Sequence, residues 1–547
     1  MSALIAIVLP VVLLLVVLLG ASSVRERLYP LLPWAPLILL WPLLAQPQAE
    51  VLSLVLLGSV LTVDAAAEPI LWLTLIAWTL AGWFAGRTVS ENRRWFWAGW
   101  LGSLTGMHLL LLAGDIASFY VGYAVLGLSA YLLVTHARNA EAWRAGRIYL
   151  IMALIGEAAI LIGVLAIAGQ LGNINLAVLP DQAELLSESP ARWLLFFGFA
   201  TKLGILPLHI WLPLAHPVAP VPASAILSGI IVKAGLLGWL RFVPASPDDP
   251  AWIGYLLMTL GFLTAFGGVL LGLTQARLKT LLAYSTISQM GLLLAGFGLT
   301  FVLPEQRDLL VAALGVMVLH HGLNKAALFV ACGNAPGATR LRLLLFALPA
   351  LALAAAPLTT GFLAKGIVKD VVDGAEIWVG VGLALSLSSA ATALLLWKGF
   401  QLARSYDDPN AGLSWAWPAL VVTAVLVPWL QAAQVDLVFE LSAAKLVDSV
   451  WPLMLAAALI AFYQGLFRGV GVRLPEGDLV VLLERLVAIL GGLRVSPPEP
   501  AQSQASWPIS ELPERLFRLE ALQRRLSVAG VALLTIGIVL GWLAWRL

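Results

Sequence analysis

Apolar runs of about 20 residues follow one another along nearly the whole chain, separated by short polar turns. An α-helix rises 1.5 Å per residue, so each run is long enough to cross a hydrocarbon core of about 30 Å. The runs predict spans near 3–21, 30–46, 69–86, 97–113, 115–135, 147–169, 192–212, 222–243, 252–273, 281–300, 309–332, 343–370, 376–399, 413–433, 450–468 and 526–546. The fold class that follows is an all-α polytopic membrane protein with about 14–16 transmembrane helices. The run from about Ala3 to Gly20 has no basic stretch before it and no small-residue cleavage site after it, so it reads as a span and not as a signal peptide.

The polar turns differ in charge. Alternate loops carry Arg25/Arg27, Arg87/Arg93/Arg94, Arg138/Arg144/Arg147, Arg277/Lys279, Arg340/Arg342 and Lys398/Arg404, and most loops between them carry one basic residue or none. The excess of Lys and Arg on cytoplasmic loops then predicts a chain in a bacterial inner membrane with both termini outside and a cytoplasmic segment 469–525. Within that segment, 495–510 is a Pro/Ser/Gln-rich linker. After it, Leu512, Leu516, Leu519 and Leu522 recur at helical spacing, as expected of a helix lying on the membrane or docking against a neighbouring subunit.

Composition narrows the chemistry. The 547 residues are 61% hydrophobic and 11% charged, with a net charge of +2, and the mean hydropathy is +0.94. That balance gives no reason to expect a nucleic-acid partner. Cys332 is the single cysteine, and no Cys/His spacing fits a metal or an iron–sulfur cluster. A glycine-rich phosphate loop beside a strand is also missing. No cofactor, metal or redox reaction is therefore expected in the chain itself.

Lysine usage carries the functional signal. Of 32 basic residues only eight are lysines, and Lys202, Lys233, Lys325 and Lys365 fall inside apolar runs. A charge at the centre of a spanning helix costs about 2.5–3.5 kcal/mol on insertion scales, so such residues mark ion paths. Arginine stays protonated, whereas lysine can be tuned. Bringing a free lysine from about 10.4 to about 7.5 takes about 4 kcal/mol of differential interaction. Lys202 stands before Pro207, and Lys365 follows Pro357 and Gly361, so both lie beside a helix break. Broken helices that recur in two halves of a transporter point to its ion path. His321 shares a helical face with Lys325, four residues on. Glu157 is a carboxylate inside the sixth span. The expected proton relay is Lys202, Lys233, His321, Lys325, Lys365 and Glu157, with His209, His320, Lys369 and Lys398 as secondary candidates.

The stretch TKLGILPLHIWLPLAHPVAPVPASAILSGIIVKAGLLGWLR (Thr201–Arg241) resembles the signature of the antiporter-like subunits of respiratory complex I and of multi-subunit sodium/proton antiporters. LKTLLAYSTISQMG, HHGLNKAALFVACG and PLTTGFLAKG agree, and VKAG around Lys233 is most similar to the branch that holds complex I subunit 4 and the D-type antiporter components. The resemblance implies two inverted five-helix repeats, each with a broken helix. They would occupy 97–244 and 252–399, between N-terminal helices in 1–96 and a C-terminal region 400–547. It also implies that Lys202 is the pumping lysine, that Lys233 passes protons towards the centre, that His321 and Lys325 are the central pair of the second half, and that Lys365 lies on the exit path. Membrane subunits of a larger complex are the implied partners, and protons, with Na⁺ as the alternative, the implied cargo. In one place the sequence departs from the family: Ala124 stands where a glutamate usually faces the pumping lysine, and Glu157 is the candidate replacement. Three functions follow: a proton-translocating subunit of a complex I-like oxidoreductase or hydrogenase, a subunit of a multi-subunit Na⁺/H⁺ antiporter, and a non-conducting scaffold.

Overall fold

A computed structural model describes residues 1–466 apart from 46–48, 53–57, 173–174, 376–379, 407–411 and 438, together with 475 and 481. The expected cytoplasmic segment 469–525, those two residues aside, and the span near 526–546 lie outside the described residues. Met1–Gly477 form one compact unit.

The described residues are overwhelmingly helical, and their strands are one short antiparallel pair, Glu50–Leu52 with Ser59–Leu61. Twelve helices are long and apolar enough to cross a membrane. A thirteenth span results if Ser22–Leu28 and Leu32–Ala45, bent by 57°, are taken together. Pro30 lies in that break and lacks the amide hydrogen that a continuous helix needs. Arg93–Leu112 supplies a further expected helix, rich in Trp and almost wholly buried. The segment expected as one span at 343–370 consists of two shorter helices, Arg340–Leu353 and Thr360–Gly374.

Polar side chains at the turns set where helices start. Asp115 accepts from the Ser118 amide at 2.9 Å and opens Ile116–Val134. Asn139 accepts from Ala142 at 2.8 Å and opens Ala140–Leu171. Such caps satisfy amide donors that the first helical turn leaves without partners.

Within Ile116–Val134 and Arg93–Leu112 the backbones meet at glycines: a Cβ on Gly122 would lie 2.5 Å from the Leu110 nitrogen. Ala251–Gly272 and Leu278–Val302 meet likewise, a Cβ on Gly261 falling 2.6 Å from the Ala295 nitrogen. Small residues at such crossings let membrane helices pack backbone to backbone. Each hairpin leads on to a long helix, a broken helix and a final helix. In the first half these are Ala140–Leu171, Ala191–Leu203 with Trp211–Val218, and the helical segment 221–242. In the second they are Arg307–Ala331, Arg340–Leu353 with Thr360–Gly374, and Gly380–Arg404.

A buried lysine row as the candidate functional site

Lys202, Lys233, Lys325 and Lys365 are all buried, at 4%, 0%, 0% and 8% exposure. None of the four reaches the lipid-facing surface, so the interior of the bundle must supply their partners. It does so in three places.

The first is the break between Ala191–Leu203 and Trp211–Val218. Gly204 ends the first half-helix with φ +74°, a conformation that costs glycine little. Trp211 Nε1 donates to Thr201 O at 2.8 Å and ties the two halves together. Lys202, two residues before the break, places Nζ 3.8 Å from Glu157 Oε1, with the carboxylate also buried. Nζ also lies 4.9 Å from the centre of the Tyr123 ring. The carboxylate and ammonium meet over Gly127: a Cβ there would fall 2.1 Å from Glu157 Oε1 and 2.9 Å from Lys202 Nζ. Ala124 is one turn away on the same helix. A carboxylate from the next helix in sequence thus stands beside the lysine, and the absent side chain at 127 makes the room. Asp115, by contrast, is used as a helix cap.

The second place is the seam between the halves. Segment 221–242 is interrupted by a π-helical turn, Leu227–Ile231, of a kind that often marks functional sites. The turn presents Gly229 to Arg307–Ala331, where a Cβ would lie 2.9 Å from Gly322 O. Lys233 Nζ donates to Ser228 O at 2.8 Å, and Lys325 Nζ donates to Leu282 O at 2.9 Å. His321, one turn before Lys325, is buried, and neither ring nitrogen has a hydrogen-bond partner among the described residues. His216 is buried as well, stacked on Phe329 with ring centres 4.7 Å apart.

The third is the break before Thr360–Gly374. Lys365 Nζ donates to Ser388 Oγ at 3.0 Å and Ser389 Oγ at 2.9 Å. Beside it lies a cavity of about 310 Å³, with Lys369, Asp370, Asp373, Lys445 and Asp448 in its wall. Lys369 pairs with Asp448 at 2.5 Å and Lys445 with Asp370 at 2.7 Å, joining the broken helix to Ala443–Leu466. His320 Nδ1 lies 2.9 Å from Thr360 Oγ1 at the start of the same half-helix.

Of the remaining sequence candidates, His209 is buried near Tyr284, with ring centres 6.2 Å apart. Lys398 Nζ donates to Leu273 O at 2.5 Å, just past the end of Ala251–Gly272, where a cation complements the helix dipole. Arg241 does the same in the first half, donating to Leu110 O at 2.8 Å and Leu111 O at 3.0 Å at the end of Arg93–Leu112. Among the described residues no group of three or more His, Cys, Asp or Glu is placed to hold a metal ion. Ser228, Thr286, Ser388, Ser389, Asp370, Lys445 and Asp448 were not legible as site residues in the sequence. Hydroxyls and loop-end charges carry no signal until the fold puts them beside a buried lysine.

A family model described as NADH:quinone oxidoreductase/Mrp antiporter, transmembrane, matches residues 113–390. Hydrogenase-4 component B of Escherichia coli is 35% identical over 243 residues, which are 42% of this chain and 36% of that protein. NAD(P)H-quinone oxidoreductase chain 4 2 of Thermosynechococcus vestitus is 31% identical over 322 residues, 57% of this chain and 55% of that one. The D-type component of the Na⁺/H⁺ antiporter of Alkalihalophilus pseudofirmus is 27% identical over 332 residues, 56% of this chain and 66% of that one. The matched region thus spans between about a third and two thirds of these curated relatives. In a solved structure of the Mrp complex from Dietzia, one chain superimposes with a TM-score of 0.73 at 22% identity, over 97% of this chain and 62% of that chain. At that identity the likeness is one of fold.

Proposed function

Because the chain belongs to the NADH:quinone oxidoreductase/Mrp antiporter transmembrane family, we propose that it is a proton-translocating subunit of a multi-subunit energy-converting membrane complex. The observation that carries this reading is the buried Lys202–Glu157 pair, 3.8 Å apart beside the break in the lysine's helix. A buried carboxylate without a partner would be held neutral, and a lysine without one would lose its proton. Paired, they can hold a proton between them and release it when the pairing changes. Lys233, Lys325 and Lys365 extend the row, Glu157 acts in place of the glutamate missing at 124, and His321 serves the central lysine.

The reading includes two repeats at 97–244 and 252–399, flanked by 1–96 and 400–547. Two features support it. Each half has a glycine-packed hairpin followed by a long, a broken and a final helix. In each half, too, a cation on the final helix caps the first: Arg241 on Leu110 and Leu111, Lys398 on Leu273. In the orientation we propose, the arginine-rich loops face the cytoplasm of a bacterial cell and both termini face outward. The cavity beside Lys365 then opens outward. Gly337 donates to Tyr406 O at 2.9 Å, placing the Arg340 and Arg404 ends on one side, with Asp373 at the far end of its helix.

The partner class is other membrane subunits, with the electron-transfer reaction in those subunits. The second reading, a subunit of a Na⁺/H⁺ antiporter, is favoured by the likeness to the Alkalihalophilus antiporter component over 66% of that protein. Flux measurements on the assembled complex in sealed membrane vesicles test both. Lys202→Ala and Lys233→Ala are expected to abolish proton flux while the complex still assembles, and a strict Na⁺ requirement would select the antiporter. Wild-type flux in both variants would leave only a scaffold role.

A further inference from the structure

Lys233 and Lys325 lie on opposite sides of the seam between the halves, and among the described residues no carboxylate pairs with either. Their partners are two backbone carbonyls, Ser228 O and Leu282 O. Two side chains bridge those partners. Ser228 Oγ lies 2.6 Å from Thr286 Oγ1, and Thr286 Oγ1 lies 3.1 Å from Leu282 O. Ser228 and Thr286 are both at 0% exposure. The link therefore runs from Lys233 through residue 228 to the hydroxyl of residue 286 and ends on the carbonyl that Lys325 also uses.

A hydroxyl has one proton to donate and two lone pairs to accept with. When Thr286 donates to Leu282 O, Ser228 must donate to Thr286. When Thr286 turns to donate to Ser228 instead, Lys325 is left as the side-chain donor to Leu282 O. A charged Lys325 is the stronger donor to that carbonyl and favours the second arrangement. Loss of its charge favours the first. The pair thus has two arrangements that differ only by hydroxyl rotation, and the charge on Lys325 selects between them. Chains of buried hydrogen bonds polarise one another, so the choice reaches Ser228, whose backbone carbonyl holds Lys233. The π-helical turn Leu227–Ile231 and the Gly229–Gly322 crossing bring Ser228 close enough to Leu278–Val302 for this contact.

We propose that Ser228 and Thr286 are positioning residues that couple the charge states of Lys233 and Lys325 across the seam between the two halves of the channel. The proposal rests on the proton-conducting reading above. They hold the lysine partners in register and transmit the charge of one lysine to the other, without binding the transported ion themselves.

The test uses the assembled complex in sealed vesicles and two substitutions at one site. Thr286→Val keeps the volume and removes the hydroxyl; Thr286→Ser keeps the hydroxyl and removes a methyl group. Proton flux is expected to fall roughly tenfold in Thr286→Val and to stay near wild type in Thr286→Ser. Ser228→Ala should match Thr286→Val, and the double variant Ser228→Ala/Thr286→Val should be little worse than either, because the two act as one unit. Wild-type flux in Thr286→Val overturns the proposal, and so does a loss in Thr286→Ser as large as in Thr286→Val, which would mark a packing role. Lys202→Ala in the same vesicles separates the two levels. If it abolishes flux while Thr286→Val does not, the coupling fails and the proton-conducting reading stands. If none of these variants alters flux, the proton-conducting reading itself fails.

Discussion

The two broken helices each hold a lysine, but in opposite surroundings. Lys202 ends the first half of its helix against the Glu157 carboxylate, beside a void of only about 10 Å³. Lys365 lies in the second half of its helix against two serine hydroxyls, beside a cavity of about 310 Å³ ringed with charge pairs. The same backbone break thus serves two purposes. At the first break, where the surroundings are closed, a carboxylate stands beside the lysine. At the second, neutral hydroxyls face the lysine, and the adjacent cavity is large enough to admit solvent. In the proposed function the first break is a sealed holding site and the second an outlet.

The sharpest way to break this comparison is to remove the carboxylate. Glu157→Gln should lower proton flux in vesicles by roughly tenfold or more, since among the described residues no other carboxylate pairs with Lys202. Adding Ala124→Glu should restore it, because residue 124 is one turn from Gly127, where the pair meets. Failure of that rescue would show that the position of the carboxylate matters as much as its presence.

Solvent access offers the next test. In a Cys332→Ala background, Ser389→Cys should react with a membrane-impermeant thiol reagent roughly tenfold or more faster than Met152→Cys, as expected if only the second break opens to water. The reactive side should be the outer one. Equal rates would remove the distinction between holding site and outlet.

Gly127→Ala probes the closed site more gently. Its Cβ would enter the space between Glu157 Oε1 and Lys202 Nζ, whereas a Cβ on Gly382, beside the outlet, makes only ordinary contact at 3.4 Å with Asp373 Oδ1. Flux should drop about threefold to tenfold in Gly127→Ala, through partial loss of the pairing, and stay near wild type in Gly382→Ala.

The smallest effects concern anchoring and are read in thermal or denaturant unfolding of the purified protein. Arg192, at the start of the first broken helix, grips Asp249 with two hydrogen bonds of 2.6 Å, and both side chains are buried. Arg192→Ala should cost about 3–5 kcal/mol, because Asp249 is left buried and unpaired. Lys369–Asp448 at the outlet is partly exposed, so Asp448→Asn should cost no more than about 1 kcal/mol.

Much of this arrangement is legible in the sequence. The spans from 3–21 to 450–468 have helical counterparts, since about 20 apolar residues in a row admit hardly any other outcome in lipid. Pro207, Pro357 and Gly361 announced both breaks, because they remove hydrogen bonds or side chains that a continuous helix needs. Four lysines in apolar runs stood out because lysine is expensive there. The bend at 28–32 was not separable from a single span, because hydropathy averages over a window and carries no angle.

What the sequence by itself determined was therefore the solvent and the cost: a chain built to lie in lipid, and charges too expensive to be there without a use. Tertiary structure alone decided which group stands against which charge. Glu157 and Lys202 are 45 positions apart, and Ser228 and Thr286 are 58 apart. Both pairings depend on helix crossings set by glycines at 127, 229 and 322. A local pattern fixes a helix because its hydrogen bonds close within four residues. It cannot fix a partner on another helix, because that contact depends on how closely and at what angle two backbones pass.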